Sequence, residues 1–205
     1  MPFRSTLSLT CALTLACAQL AGCTTLKVPD LTALLPSDFL PVMHWDARAE
    51  AADWTRATMT AVAAHDTELA LTVPADIATF CPSYAKASLA SRRAFWVGLV
   101  SATARHESGF NPAAVGGHGK YIGLMQISPR TANHYACTAQ SPAALKNGPA
   151  NLTCAVEIFA PHIAADGMVA GNGSRGIGRD WGPFRSKAAR DDIAKWTSAQ
   201  AYCQG

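Results

Sequence analysis

With 205 residues, 49% of them apolar, the chain has enough material to bury one sizeable hydrophobic core. Its 17 Lys and Arg residues against 14 Asp and Glu residues give a formal net charge of +3, which is too small to favour nucleic-acid binding. The same mild positive charge would suit an anionic polymer. The composition therefore predicts one compact domain with an N-terminal extension and no nucleic-acid partner.

The chain begins with a short apolar segment after a basic start. Arg4 supplies a positive charge, and residues 7–20 are apolar and rich in small side chains, which is too short for a membrane span and typical of a signal peptide. The segment ends in the tetrad LAGC, which resembles the lipobox of bacterial lipoproteins, where cleavage precedes a cysteine that becomes acylated. We expect a lipoprotein signal peptide over 1–22 and a lipid anchor on Cys23. An ordinary signal peptide with a nearby cysteine is the alternative.

The residues after the tetrad set the expected location and domain boundaries. Thr24, rather than an aspartate, follows Cys23, which resembles lipoproteins sorted to the outer membrane. We therefore expect an anchor at the periplasmic face of a bacterial outer membrane. Residues 23–44 contain several prolines and no helical periodicity, as in a tether. The domain itself is predicted over 45–205, with the Ala-rich segment 45–80 as a helical cap on it.

The remaining cysteines indicate an exported protein. Once the signal peptide and lipid site are set aside, four remain, an even number that predicts two disulfides: Cys81, Cys137, Cys154 and Cys203. Of three connectivities we favour Cys137–Cys154, which would close a loop between two predicted helices, and Cys81–Cys203, which would join the start of the domain to its end. A zinc site is the alternative, but no CxxC or HxxxH spacing supports it, so no metal is expected.

The central feature of the chain is an acidic residue at the end of an apolar helix. Trp96, Val100 and Thr103 recur at a 3.6-residue period, and Glu107 continues their face, which predicts that its carboxyl points inward. A glycine-rich, turn-forming segment follows. Partial burial disfavours the charged form and raises the pKa of a carboxyl, so that it can donate a proton near neutral pH. Glu107 is therefore the candidate general acid.

The segments after this acid predict three further helices. Ser128-Pro129 has the pattern of an N-cap followed by proline at the first helical position, which predicts a short helix ending near Tyr135. Asn151 is expected to cap a helix over 152–165, kinked by a proline. A last helix is expected over about 186–199, and Trp181 is interpreted as a core residue rather than a sugar-stacking one.

Two sequence blocks around the candidate acid resemble a known signature. Glu107-Ser108-x-Phe110-x-Pro112 is followed by GLMQIS from Gly123 and by Thr131-Ala132, in the order and approximate spacing of the soluble lytic transglycosylases. These enzymes belong to the lysozyme-like superfamily and cleave bacterial peptidoglycan. The resemblance implies a mainly α-helical, lysozyme-like domain of the goose-type or SLT kind, here with disulfides. It also implies that the partners are peptidoglycan glycan strands, that no cofactor is needed, and that the protein is a monomer.

The resemblance further implies a reaction in which one carboxyl group acts twice. Glu107 would protonate the glycosidic oxygen of the β-1,4 bond between N-acetylmuramic acid and N-acetylglucosamine, and the substrate's N-acetyl carbonyl would stabilise the charge at C1. The ionised carboxylate would then deprotonate the C6 hydroxyl, giving a 1,6-anhydro end. The residues expected to bind substrate are Ser108, Gly123, Met125, Gln126 and Asn172.

The chain departs from the family pattern where a supporting tyrosine is expected. In the family an Ala-Tyr-Asn-x-Gly block supplies a tyrosine that supports the acid, and the nearest fragment here, Gly171-Asn172-Gly173-Ser174, has none. The acids beyond the motif show no obvious pairing with Glu107, which fits a single-acid mechanism; they are Glu157, Asp166, Asp180, Asp191 and Asp192. Two alternatives stay open: a hydrolytic muramidase that uses water, and a non-catalytic peptidoglycan-binding lipoprotein.

Overall fold

A computed structural model describes residues 40–205. The predicted signal peptide, Cys23 and most of the predicted tether lie outside the described residues. The described part is mainly helical, as predicted, with one two-stranded antiparallel sheet. Its α-helices are α1 (Ala51–Ala64), α2 (Ile77–Phe80), α3 (Leu89–Ser108), α4 (Pro129–His134), α5 (Gly148–Asp166) and α6 (Lys187–Ser198), its strands are β1 (Val115–Gly116) and β2 (Tyr121–Ile122), and short 3-10 turns cover Tyr84–Lys86, Gly117–Gly119, Ala144–Lys146, Gly176–Arg179, Gly182–Phe184 and Ala201–Cys203. None of the helices within residues 40–205 combines the length and apolar character needed to cross a membrane.

Helix α3 lies at the centre of the domain. Every residue from Ala94 to Ala104 is buried, so the helix is enclosed on all sides rather than on one face. Ser88 caps its start by accepting a hydrogen bond from the backbone N–H of Ser91, and Gly109 ends it in the left-handed conformation at φ +58°. The last turn emerges from the core, and that turn carries Glu107. The enclosed helix therefore delivers one acid to the surface of the core.

The segment 45–80 shares the core of the rest of the domain. Helix α1 packs against α3 and α5, and the Trp45 and Trp54 rings meet edge to face with centroids 5.8 Å apart. Val62, Leu69 and Phe80 belong to the same contiguous cluster of buried side chains as the residues of α3. Residues 45–80 thus form part of one hydrophobic core.

Helix α5 begins earlier than the sequence predicts. Its N-cap is Asn147, whose Oδ1 accepts a hydrogen bond from the backbone N–H of Ala150, and the helix runs through Pro161 to Asp166. The prediction that Asn151 caps this helix is therefore wrong. Gly148-Pro149 has the composition of a turn, but proline is well tolerated in the first turn of a helix, where its missing N–H would have no helical partner. Asn151 lies inside the helix and is buried.

Both favoured disulfides are present. Cys81 is bonded to Cys203, and Cys137 is bonded to Cys154. The first joins the residue after α2 to the C-terminal 3-10 turn, and the second fastens the segment after α4 to α5. Each bridge thus ties a loop segment to an element of the core.

Two carboxylates fix the glycine-rich segment between α5 and α6. Asp76 accepts hydrogen bonds from the backbone N–H groups of Val169, Ala170 and Gly171. Asp166 accepts from the N–H of Gly176 and from the Arg179 guanidinium, and these contacts hold the pKa of its carboxyl well below its usual range. The backbone conformation of this glycine-rich segment is therefore fixed by hydrogen bonds to two carboxylates rather than by regular secondary structure.

Candidate active site

The segment Gly123–Gln126 is held against α5 by a buried amide. Gly123 has φ +82°, and a Cβ at this position would lie 2.3 Å from the carbonyl oxygen of Leu145, so only glycine fits. The Asn151 side chain donates to the carbonyls of Ile122 and Leu145 and accepts from the backbone N–H of Met125. The block recognised in the sequence is thus a tight loop whose shape is set from the neighbouring helix.

Glu107 lies on the wall of an open cleft of about 310 Å³. Tyr121, Gln126, Asp180 and Trp181 line the cleft with it. The Glu107 side chain is half-buried, and within residues 40–205 its carboxyl has no hydrogen-bond or ion-pair partner. Burial raises its pKa from the ordinary 4.5 to about 7 because the carboxylate loses hydration without gaining a compensating charge. The predicted proton donor is therefore in a position that favours its protonated form near neutrality.

Gln126 lines the Glu107 cleft, and its side-chain amide is hydrogen-bonded to the backbone. Its Nε2 donates to the carbonyl of Gly123 at 2.9 Å, and its own backbone adopts a left-handed conformation at φ +47°. A Cβ at Gly116 would lie 2.3 Å from the Gln126 Oε1, so the glycine leaves room for this amide. Gln126 is thus held at the cleft wall, and its role in substrate binding stays a prediction.

Met125 and Trp181 line a smaller adjoining pocket of about 60 Å³, and Trp181 also lines the Glu107 cleft. Met125 is buried, and its carbonyl accepts a hydrogen bond from the Trp181 Nε1 at 2.9 Å. The Trp181 ring also packs edge to face on Phe159. Trp181 is therefore a core residue, as interpreted from the sequence, and also lines the cleft.

Of the five predicted substrate-binding residues, Gln126 lines this cleft, whereas four do not: Ser108, Gly123, Met125 and Asn172. Asn172 lines a separate depression beside Asp76 and Arg175, because the hydrogen bonds of Asp76 draw the start of the glycine-rich segment towards α2. The grouping of Asn172 with Glu107 is corrected accordingly. Ser108 follows Glu107 in the chain, but its hydroxyl donates to the carbonyl of Ala104 within α3.

Sequence reasoning missed a second carboxyl group in the cleft. Asp180 lines both the cleft and the adjoining pocket, and its Oδ2 lies 3.0 Å from the Nε2 of His162. The same Nε2 lies 2.7 Å from the hydroxyl of Tyr135. Burial raises the pKa of Asp180, and the neighbouring His162 opposes that shift. The three residues come from separate segments, so no sequence spacing could have indicated that they meet.

Comparison with known proteins agrees with this arrangement. A family profile described as the transglycosylase SLT domain matches residues 85–173, which include Glu107 and the Gly123–Gln126 loop. Solved structures of DslA are similar to this chain. The wild type and one glutamate-to-glutamine variant each superpose on it with a TM-score of 0.72 and 28% identity, over 80% of this chain and 98% of the DslA chain. A second glutamate-to-glutamine variant of DslA has 27% identity at the same TM-score. A search of curated proteins found no match. Residues 85–173 therefore match the transglycosylase SLT domain, and the described part of the chain is similar in fold to the DslA structures.

Proposed function

We propose that this protein is a peptidoglycan lytic transglycosylase in which Glu107 acts first as an acid and then as a base. The SLT domain supports a function of the lytic transglycosylase kind that acts on peptidoglycan. The observation that carries the finer proposal is the position of Glu107. It lies in a cleft, has no partner for its carboxyl among residues 40–205, and has a pKa raised by burial to about 7. Such a group can give up a proton and take one back at neutral pH.

The proposed reaction needs no group beyond the substrate and this acid. Protonated Glu107 donates its proton to the glycosidic oxygen between N-acetylmuramic acid and N-acetylglucosamine as the bond from C1 to that oxygen breaks. The N-acetyl carbonyl of the muramic acid stabilises the positive charge at C1. The Glu107 carboxylate then accepts the proton of the C6 hydroxyl while O6 bonds to C1. The strand is cut without consumption of water, one new end is 1,6-anhydro-N-acetylmuramic acid, and Glu107 is protonated again.

The surrounding groups suit this chemistry in different ways. Trp181 is an apolar wall of the cleft that excludes water from one side and so strengthens the electrostatic interactions of the acid. Gln126 carries an amide that can both donate to and accept from sugar hydroxyl and N-acetyl groups. No metal or cofactor has a role in the reaction as proposed.

The test is product analysis with wild-type protein and the Glu107→Gln variant. Digestion of purified sacculi by the wild type should release muropeptides that end in 1,6-anhydro-N-acetylmuramic acid, as read by mass spectrometry. Glu107→Gln keeps the shape of the side chain but cannot donate a proton, so turnover should fall roughly a hundredfold or more. Glu157→Gln is a matched control, because Glu157 is also half-buried with a pKa raised by burial but lines a different pocket. Undiminished cleavage by the Glu107 variant would place the active site elsewhere.

A second candidate, a hydrolytic muramidase, is favoured by one observation. Asp180 brings a second carboxyl group to the same cleft as Glu107, with His162 and Tyr135 behind it. In inverting glycosidases a second carboxylate acts as a base that activates water. If Asp180 has this role, wild-type products carry reducing ends, and Asp180→Asn abolishes them. If the transglycosylase proposal is right, the anhydro ends persist in Asp180→Asn.

We also propose that the domain is tethered to the outer membrane through an acylated Cys23. The support is the LAGC tetrad and the threonine after it. The proline-containing stretch 23–44 would then separate a domain at 45–205 from the membrane and allow its cleft to reach glycan strands. Several acyl chains on one residue anchor a protein firmly, since each buried CH2 group contributes about 0.8 kcal/mol.

A further inference from the structure

Tyr121 is an exposed aromatic residue on the wall between the Glu107 cleft and the adjoining pocket. It stands at the start of β2, lines both cavities, and is 39% exposed, whereas Trp181, which also lines both cavities, is buried. Nothing in the reaction proposed for Glu107 uses this ring. An exposed aromatic side chain inside a polar cleft loses hydrophobic stabilisation unless something covers it. The position of Tyr121 therefore raises the question of what its ring contacts.

The hairpin holds the Tyr121 ring in one place. Gly116 pairs with Tyr121 across the β1–β2 ladder, and Gly117 follows with φ +55°. A Cβ at Gly117 would lie 2.5 Å from the Cδ2 of Tyr121, so the ring packs directly against this glycine. The ring is thus placed by backbone pairing and by a close contact. A preplaced side chain loses little conformational entropy when it binds a ligand.

The contact with Lys120 indicates that the face of the Tyr121 ring attracts positively charged groups. The Lys120 Nζ lies over the Tyr121 ring, 5.1 Å from its centroid. An ammonium is drawn there because the face of an aromatic ring carries negative charge density. The C–H hydrogens on one face of a pyranose carry partial positive charge and suit the same surface. Lys120 is exposed, so a ligand can displace its ammonium group into water at small cost.

We propose that Tyr121 is a glycan-binding residue whose ring stacks on a pyranose of the strand at the junction of the two cavities. This inference rests on the proposed function, since it takes the ligand to be an N-acetylated glycan. The ring contributes its flat, electron-rich face, and its hydroxyl is not needed. The contact lies beside Glu107 rather than at the bond that breaks. It holds substrate and transition state equally, so its loss should raise KM and leave kcat nearly unchanged.

Binding measured without turnover tests the inference separately from the reaction. The probe is tetra-N-acetylchitotetraose, titrated by calorimetry into the full-length protein that carries Glu107→Gln, alone and combined with a second substitution at position 121. Tyr121→Ala and Tyr121→Leu should weaken binding roughly threefold to tenfold, the scale of an aromatic contact. Tyr121→Phe and Tyr121→Trp should bind within about twofold of the parent. Val115→Ala is the control, because Val115 is exposed on the same hairpin but lines neither cavity.

Each outcome decides a different point. If Tyr121→Phe binds as weakly as Tyr121→Ala, the hydroxyl is the important group and the stacking proposal fails. If Tyr121→Leu binds as well as the parent, bulk alone suffices and the proposal also fails. Equal affinity across the series excludes Tyr121 from the binding site while leaving the function of Glu107 untouched. If none of the proteins binds the probe, both the glycan cleft and this inference are overturned. Thermal unfolding of each variant checks that it is folded. Kinetics of the Tyr121 variants that retain Glu107 should show a raised KM and an unchanged kcat.

Discussion

The side chain of Asn151 holds the backbone of Met125. Its Oδ1 accepts a hydrogen bond from the Met125 N–H at 2.9 Å, and its Nδ2 donates to the carbonyls of Ile122 and Leu145 at 3.0 and 2.9 Å. Asn151 is buried within α5, so one amide satisfies three backbone groups that water cannot reach. The loop that carries Gln126 is therefore fixed by a residue of the core rather than by its own turns.

Replacement of Asn151 should destabilise the domain strongly. Asn151→Leu keeps much of the volume but leaves the Met125 N–H and the Leu145 carbonyl without partners, and each such group costs about 1–3 kcal/mol. It also removes one of the two donors to the Ile122 carbonyl, which keeps its bond from the Ile127 N–H. We expect the free energy of unfolding to fall by about 3–5 kcal/mol in denaturant titrations. Asn147→Ala is the matched comparison: it removes only the N-cap of the same helix and should cost about 1 kcal/mol. Equal effects of the two substitutions would show that the buried amide is not the main support of the loop.

The central helix and its acid could be predicted from sequence because both depend on local pattern. The apolar run of α3 and the glycines after it lie next to Glu107 in the chain, and burial of that face raises the pKa of Glu107 as expected. The helix is more completely enclosed than its periodicity suggests, since α1 and α6 pack against it and Phe159 of α5 stacks on Trp96. Periodicity identifies one apolar face but does not report how many neighbours cover the others.

The rest of the cleft could not be predicted because it depends on contacts between distant segments. Asp180 meets His162 and Tyr135 only after the glycine-rich segment has been fixed by Asp76 and Asp166. Neither of these two acids belongs to a recognisable sequence motif, and the backbone N–H groups that they accept from lie further along the chain. The same anchoring carries Asn172 away from the cleft, against the sequence expectation. Side-chain anchoring of irregular backbone leaves no periodic signal.

The two disulfides should differ in how much they stabilise the fold. Cys81–Cys203 closes a loop with a sequence separation of 122, whereas Cys137–Cys154 spans 17. Because the loss of chain entropy in the unfolded state grows with loop length, removing the long bridge should cost nearly 5 kcal/mol and the short one about 3 kcal/mol. Paired Cys→Ala variants compared by chemical denaturation measure the two values. Free-thiol titration of the unreduced, denatured domain should find no thiol from these four cysteines, and two or four reactive thiols would contradict the pairing.

Replacement of Cys23 tests the proposed lipid anchor. If Cys23 is the acylated residue, Cys23→Ser should accumulate as uncleaved precursor and should no longer incorporate labelled palmitate in bacterial cells. Cys17→Ser is the control, since Cys17 lies within the proposed signal peptide and should not affect labelling. Persistent labelling of the Cys23 variant would rule out this residue as the anchor.

The raised pKa of Glu107 predicts how both activity and stability depend on pH. The pKa is about 7 in the folded protein against an ordinary 4.5, so the folded state binds the proton more tightly than the unfolded state. The stabilising contribution of Glu107 is therefore complete below about pH 4.5 and is lost as the pH rises through 7. Above pH 7 the buried carboxylate costs about 1–3 kcal/mol, allowing for its residual exposure. The kcat/KM of the wild type should fall as the pH rises through and above about 7, because the carboxylate cannot protonate the glycosidic oxygen.

Glu107→Gln separates these effects, because the amide keeps the shape of the side chain and does not titrate. The difference between the unfolding free energies of the variant and the wild type should grow in favour of the variant as the pH rises from 4.5 to 7. Between pH 4 and pH 8 this difference should change by about 1–3 kcal/mol. Denaturant titrations at several pH values measure this difference, with Asn147→Ala as a variant whose effect should not change with pH. A wild-type-to-variant difference that stays constant from pH 4 to pH 8 would mean that burial does not raise the pKa of Glu107. The acid would then be largely ionised at neutral pH, and the proposed proton donation would lose its physical basis.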